Sequence, residues 1–152
     1  MGWPWQKKQE WKPEIADEIS SRKLRRILKK LAPDAIHLHC SDGTYNIPAN
    51  PQEIMDRFSP TDFIYKKDEK DCDDAVRIFI KKLSEWAVKV LRGNLSEAGI
   101  GNTLAMDCII KIRDRGYHGC IAFLQDGELV YGSAQRRKIV DYDVEKIHRL
   151  IA

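Results

Sequence analysis

No stretch of this sequence approaches the roughly 20 consecutive apolar residues of a membrane-spanning helix, so no transmembrane segment is expected. The opening, Met1-Gly2-Trp3-Pro4-Trp5-Gln6-Lys7, lacks the apolar core of a secretory signal. Gln6 stands where a myristoylation signal requires Ser or Thr. A cytoplasmic location follows as the expectation. None of the cysteines, Cys40, Cys72, Cys108 and Cys120, forms a CxxC pair, which argues against a structural zinc site. Reduced thiols fit the same compartment. His37 and His39 share one strand face but find no third ligand at a recognisable spacing, so no metal is expected and no cofactor is implied. Internal repeats and low-complexity stretches are missing too. Neither sign of charge dominates: the formal net charge of +3 is too small to call for a nucleic-acid partner.

What is present is a globular composition. The chain has 152 residues, 43% hydrophobic and 32% charged, enough for one domain with a real core. Residues 1–13 read as a tail carrying Trp3, Trp5 and Trp11 between lysines and two prolines, and residues 14–152 as a single domain. The tail tryptophans read as docking onto that domain, with stacking or membrane-surface contact as the alternative. Charge is uneven: residues 1–31 hold nine Lys and Arg against four Asp and Glu. From Glu14 to Leu31 the apolar positions Ile15, Ile19, Leu24, Ile27, Leu28 and Leu31 predict a basic amphipathic helix stopped by Pro33. Its polar face reads as solvated rather than as a nucleic-acid contact.

Further along, Ala35–Cys40 alternates as a strand, and Asn50-Pro51 opens a short helix running to about Phe58. A long helix is predicted from about Asp73 to Leu91, with Asp71 as N-cap and Cys72 as first helical residue, ending at Gly93-Asn94. Phe63 and Tyr65 read as aromatic anchors of the connection before it, and 95–103 as a loop. Strands follow at Leu104–Ile112 and Tyr117–Leu124. Gln125-Asp126-Gly127-Glu128 is the turn of a hairpin to Leu129–Gly132. Asp141 is read as the cap of a closing helix through Ile151.

Two positions carry chemistry. Cys72 falls at a helix N-terminus, a location that lowers a thiol pKa and offers backbone N–H groups to an oxyanion. His118 falls at a strand start, where an imidazole could take the thiol proton. Asp71, Asp73 and Asp74 crowd the thiol and work against its ionisation. An orienter for His118 is sought in Ser133 and Gln135 after the hairpin turn and in Asp126 within it; Gln135 can hydrogen-bond but cannot balance an imidazolium by charge. Each residue alone has an ordinary structural reading: a buried structural cysteine, a strand-end histidine. The order of cysteine on a helix start, histidine on a strand and a polar residue on the next strand is more specific.

This arrangement resembles small phage and prophage proteins described as lectin-like. Those are similar to the papain-like cysteine-protease domain at the C-terminus of a mushroom agglutinin and, more distantly, to transglutaminase-like cysteine peptidases. The resemblance runs through Asp42, Tyr45 and Pro48, then Glu53, Ser59, Asp62 and Tyr65, then Asp71-Cys72-Asp73-Asp74 and Phe79. It continues at His118 and at Ser133-Ala134-Gln135 with Lys138-Ile139, and spans roughly residues 37 to 140. It implies an α+β papain-like or transglutaminase-like fold, with the nucleophile helix packed on a small antiparallel sheet. It implies Cys72 as nucleophile and His118 as base. The sequence departs at Ser133, where the family has glutamate, and keeps the glutamine as Gln135.

Two functions remain open on this reading. One is a cysteine-dependent hydrolase acting on an amide or isopeptide bond of a protein or peptide, in a phage or prophage context. The other is a catalytically degenerate module that recognises a host protein or a glycan. Nucleic acid is not expected as a partner, and the sequence does not set the oligomeric state.

Overall fold

The computed structural model describes residues 11–63, 71–93 and 103–152. Its first element is a strand, β1 (Ile15–Ser20), where the sequence predicts the opening turns of a helix. Ile15 and Ile19 stand four apart, as on a helix. Yet β1 pairs antiparallel with β3 (Thr44–Pro48), through a bulge between Ile15 and Asp17. A spacing of four residues is also two strand periods, so it fits a strand face as well as a helix face. The helix proper, α1 (Ser21–Leu31), begins where Ser20 Oγ accepts a 3.2 Å bond from the Lys23 amide. Leu24 and Leu28 form its buried stripe, while Arg22, Lys23, Arg26, Lys29 and Lys30 are exposed. The basic residues therefore form a solvated face.

Strand β2 (His37–His39) precedes β3. The short helix α2 (Pro51–Phe58) starts at Asn50, whose Oδ1 accepts from the Gln52 amide at 3.1 Å. The long helix α3 spans Cys72–Gly93. Five strands complete the chain: β4 (Met106–Ile112), β5 (Gly116–Gln125), β6 (Glu128–Ser133), β7 (Lys138–Val140) and β8 (Val144–Ile151). The hairpin between β5 and β6 turns at Asp126 and Gly127, both at positive φ, as a two-residue turn demands.

The closing segment is a strand, not a helix. Val144, Ile147 and Leu150 recur every third residue and so read as one helical face. In the sheet, β8 pairs antiparallel with β4 and shifts register between Ile109 and Ile110 and again between Lys111 and Ile112. Two bulges return a three-residue spacing to a single sheet face. The segment also lies between β4 and β2, with β2 parallel to it. A central position with ladder bonds on both sides outweighs local helical preference.

The main sheet has the order β2-β8-β4-β5-β6-β7, and β1 with β3 forms a second, two-stranded sheet. The fold is thus mixed α+β. Period-two alternation along β5 divides the core in two. Cys120, Ala122 and Leu124 face α1 and β1, with Leu24, Leu28 and Ile19. Ile121 and Phe123 face α2 and α3, with Met55, Phe58, Phe79 and Leu83. Phe79 and Phe123 are fully buried, each contributing about 1.5–3 kcal/mol of apolar transfer energy.

Trp11 packs against Phe58 and Trp86 at 5.8 and 5.5 Å and donates from its indole to Glu53 Oε1 at 3.0 Å. Docking of this tryptophan onto α2 and α3 matches the expectation for the tail. Trp3, Trp5, Tyr65, Asn94 and residues 95–102 lie outside the described residues. Among the described residues no helix is long and apolar enough to cross a membrane.

Candidate functional site

The site is built where the N-terminus of α3 meets the start of β5. Asp71 caps the helix: its Oδ1 accepts from the amides of Asp73 at 3.1 Å and Asp74 at 3.3 Å. Asp74 returns the bond, its Oδ2 accepting from the Asp71 amide at 3.1 Å. The reciprocal cap fixes Cys72 as the first helical residue, where the sequence places it.

Gly119 faces the first turn of the helix. A Cβ at this position would overlap a carboxylate oxygen of Asp73, so any larger residue requires that side chain to turn aside, while the α3 backbone stays at ordinary contact distance. Its amide donates to Cys72 Sγ at 3.3 Å. His118 is the preceding residue of the strand, so thiol and imidazole are both neighbours of Gly119. Their hydrogen bonds diverge. Nε2 of His118 meets the Tyr142 hydroxyl at 3.1 Å, with ring centroids 5.2 Å apart. Ser133, in the same wall, accepts from the Arg136 amide through its Oγ at 3.0 Å.

Electrostatics hold both reactive groups neutral. Burial pushes the Cys72 thiol up; the Gly119 amide opposes this, but the charges of Asp73 and Asp71 add to the rise. Burial pushes His118 down, the Arg136 guanidinium pushes it further, and Asp73 opposes. A thiol raised and an imidazole lowered is the reverse of a thiolate–imidazolium pair. Burial likewise raises the Tyr142 phenol, which keeps it a donor.

Beside His118 opens a cavity of about 290 Å³, bordered by Ser133, Gln135, Arg136, Tyr142 and Arg115. Gln135 therefore lines the same hollow as His118, but the imidazole takes its hydrogen bond from Tyr142 rather than from Gln135. Cys72 lies outside that lining, behind Gly119. Ser133 is 3% exposed and lines the same hollow.

The sequence reading missed Tyr142 because it placed that residue at the head of a helix. The available signal was Asp141-Tyr142-Asp143 before a segment that also fits a bulged strand. All four cysteines are free, with Cys108 and Cys120 directly opposed across β4 and β5. Among the described residues no group of three His, Cys, Asp or Glu is placed to hold a metal. His37 and His39 are exposed on β2, and His37 packs edge-on to His148 at 5.8 Å.

No protein-family model matches the chain, and no curated protein sequence does. Solved structures do. A complex of PSL1a with E64 superposes with a TM-score of 0.65 at 16% identity, over 89% of this chain and 51% of that one. The Polyporus squamosus lectin bound to the human-type influenza-binding epitope Neu5Aca2-6Galb1-4GlcNAc gives 0.65 at 14%, over 89% and 49%. The chain spans about half the length of these lectin structures. Over that half it has a lectin-like mixed α+β fold.

Proposed function

We propose that the chain is a binding module on a papain-like scaffold, one that keeps the thiol and imidazole of a peptidase site without its carboxylate. The observation that carries this reading is the partner of His118. Its Nε2 meets the neutral Tyr142 hydroxyl, and the Asp73 charge that favours an imidazolium is outweighed by burial and by Arg136. The ligand class is a host glycan or protein, in a phage or prophage setting and a cytoplasmic location. Residues 14–152 form the papain-like domain and residues 1–13 its tail. The complex of a structural neighbour with a sialylated trisaccharide supports a glycan. Half of that neighbour has no counterpart here, so the glycan has to be tested on this chain itself.

A second reading is a cysteine hydrolase acting on an amide or isopeptide bond. It is supported by the Gly119 amide at Cys72 Sγ, at a capped helix start, and by the neighbour's complex with E64. Cys72 would attack the carbonyl after passing its proton to His118, and Gln135 would orient the imidazole or donate to the oxyanion.

Immobilised glycans and host-protein fractions, probed with wild type and Cys72→Ala, separate the two. Binding that survives Cys72→Ala, with no E64 adduct on Cys72 by mass spectrometry, is the expected result. An adduct that forms on Cys72 and slows in His118→Ala establishes the hydrolase instead.

A further inference from the structure

Arg115 and Arg136 border the cavity beside His118, and among the described residues no carboxylate pairs with either. Four other arginines do have such partners. Arg25 pairs with Asp42, Arg77 with Asp74, Arg113 with Asp143 and Arg149 with Asp107, at 2.9–3.4 Å. Arg115 and Arg136 make no ion pair among the described residues, and the cavity lining contains no Asp or Glu. Gln135 is in the same wall and its side chain has no hydrogen-bond partner among the described residues. The Tyr142 hydroxyl is already engaged with His118 Nε2, and Ser133 Oγ with the Arg136 amide. The hollow thus offers two guanidinium groups and an amide with donors to spare, over a volume that suits one monosaccharide or one amino-acid unit.

We infer that this cavity is a subsite for a carboxylate carried on the ligand, held by Arg115 and Arg136 with the Gln135 amide completing the donor set. The inference rests on the binding-module reading and specifies the chemistry its ligand must carry. A planar carboxylate is the fitting anion, because a guanidinium offers it two parallel N–H donors. Both guanidinium groups are exposed at the cavity rim, so a carboxylate reaches them from solvent and the pairing weakens as salt is raised.

The test uses the full chain and two carriers of the same group, N-acetylneuraminic acid and N-acetylglutamate, each against its methyl ester. Binding is read from the arginine side-chain resonances in NMR. At least one acid is expected to bind saturably and shift the Arg115 and Arg136 signals, with its ester about tenfold weaker. Which acid responds tells a sugar acid from an acidic peptide. Arg115→Gln and Arg136→Gln are each expected to weaken that acid by about five- to tenfold at an unchanged melting temperature, while Arg22→Gln on α1 has no effect. Equal binding of acid and ester, indifference to both arginine substitutions, or no binding of either acid overturns the subsite. Glycan or protein capture that persists in Arg136→Gln then shows a module without an anion subsite. Absence of any capture removes the module reading as well.

Discussion

The backbone amide of Gly119 donates to the sulfur of Cys72 at 3.3 Å, joining the first turn of α3 to the second layer of the fold. One contact thus sets both the approach of the helix to the sheet and the surroundings of the thiol. Gly119→Ala is expected to lower stability by about 0.5–1.5 kcal/mol, the cost of turning the Asp73 carboxylate off its preferred rotamer. Asp73→Ala should recover part of the loss in the double variant, by chemical denaturation. Simple additivity of the two substitutions would mean that the pair does not touch.

Cys72 is expected to be a slow nucleophile near neutral pH. Burial and the charges of Asp73 and Asp71 keep its proton on. Alkylation by iodoacetamide should accelerate as pH rises above the ordinary thiol range, and Asp73→Asn should speed it at fixed pH. Fast labelling of the wild type near pH 7 would contradict the neutral thiol.

The His118 imidazole makes stability depend on pH on the acid side. Its folded pKa lies below its unfolded one. As pH falls, the unfolded chain therefore takes up the proton first, near pH ~6.5. The stability due to the neutral ring is complete above that pH and is lost as pH falls through the lower folded value. The melting temperature should drop more between about pH 7 and about pH 5 in wild type than in His118→Gln. Equal slopes would show that other groups control the acid limb.

Tyr142 holds the imidazole. Burial keeps the phenol protonated 3.1 Å from Nε2, so its O–H can donate to that nitrogen and favour the ring proton on Nδ1. Tyr142→Phe should cost about 1 kcal/mol and convert a single tautomer into a mixture by nitrogen-15 NMR of the ring. An unchanged spectrum would assign the orientation of His118 to packing alone.

Gln52 guards the sheet edge. Its Oε1 accepts from the Ile139 amide at 2.9 Å, and its Nε2 donates to the Arg137 carbonyl at 3.0 Å and to Asp56 at 2.8 Å. Gln52→Ala is expected to cost about 1–3 kcal/mol and to expose β7 to pairing with another chain. Sedimentation velocity should show self-association that wild type lacks at equal concentration.

Features legible in the sequence were those set by neighbours along the chain. The Asp71 cap, the placement of Cys72, the Asn50 cap and the Asp126-Gly127 turn depend on residues within one turn of each other. β1 and β8 were not legible. Their apolar spacing also fits a helix, and only pairing partners distant in sequence make them strands, with bulges absorbing the odd residues of β8. Tyr142 was hidden for the same reason, since its meeting with His118 spans a separation of 24 residues.

The sequence by itself determined that a thiol would open a long capped helix and that an imidazole would stand at the head of a strand, because capping and alternation are short-range effects. Tertiary structure decided what those groups face. Long-range packing set Gly119 between them, gave the imidazole a phenol instead of a carboxylate, and gathered Arg115 and Arg136 at one cavity. Burial and charge at such a meeting point depend on segments far apart in the chain, and so cannot be read from residue order.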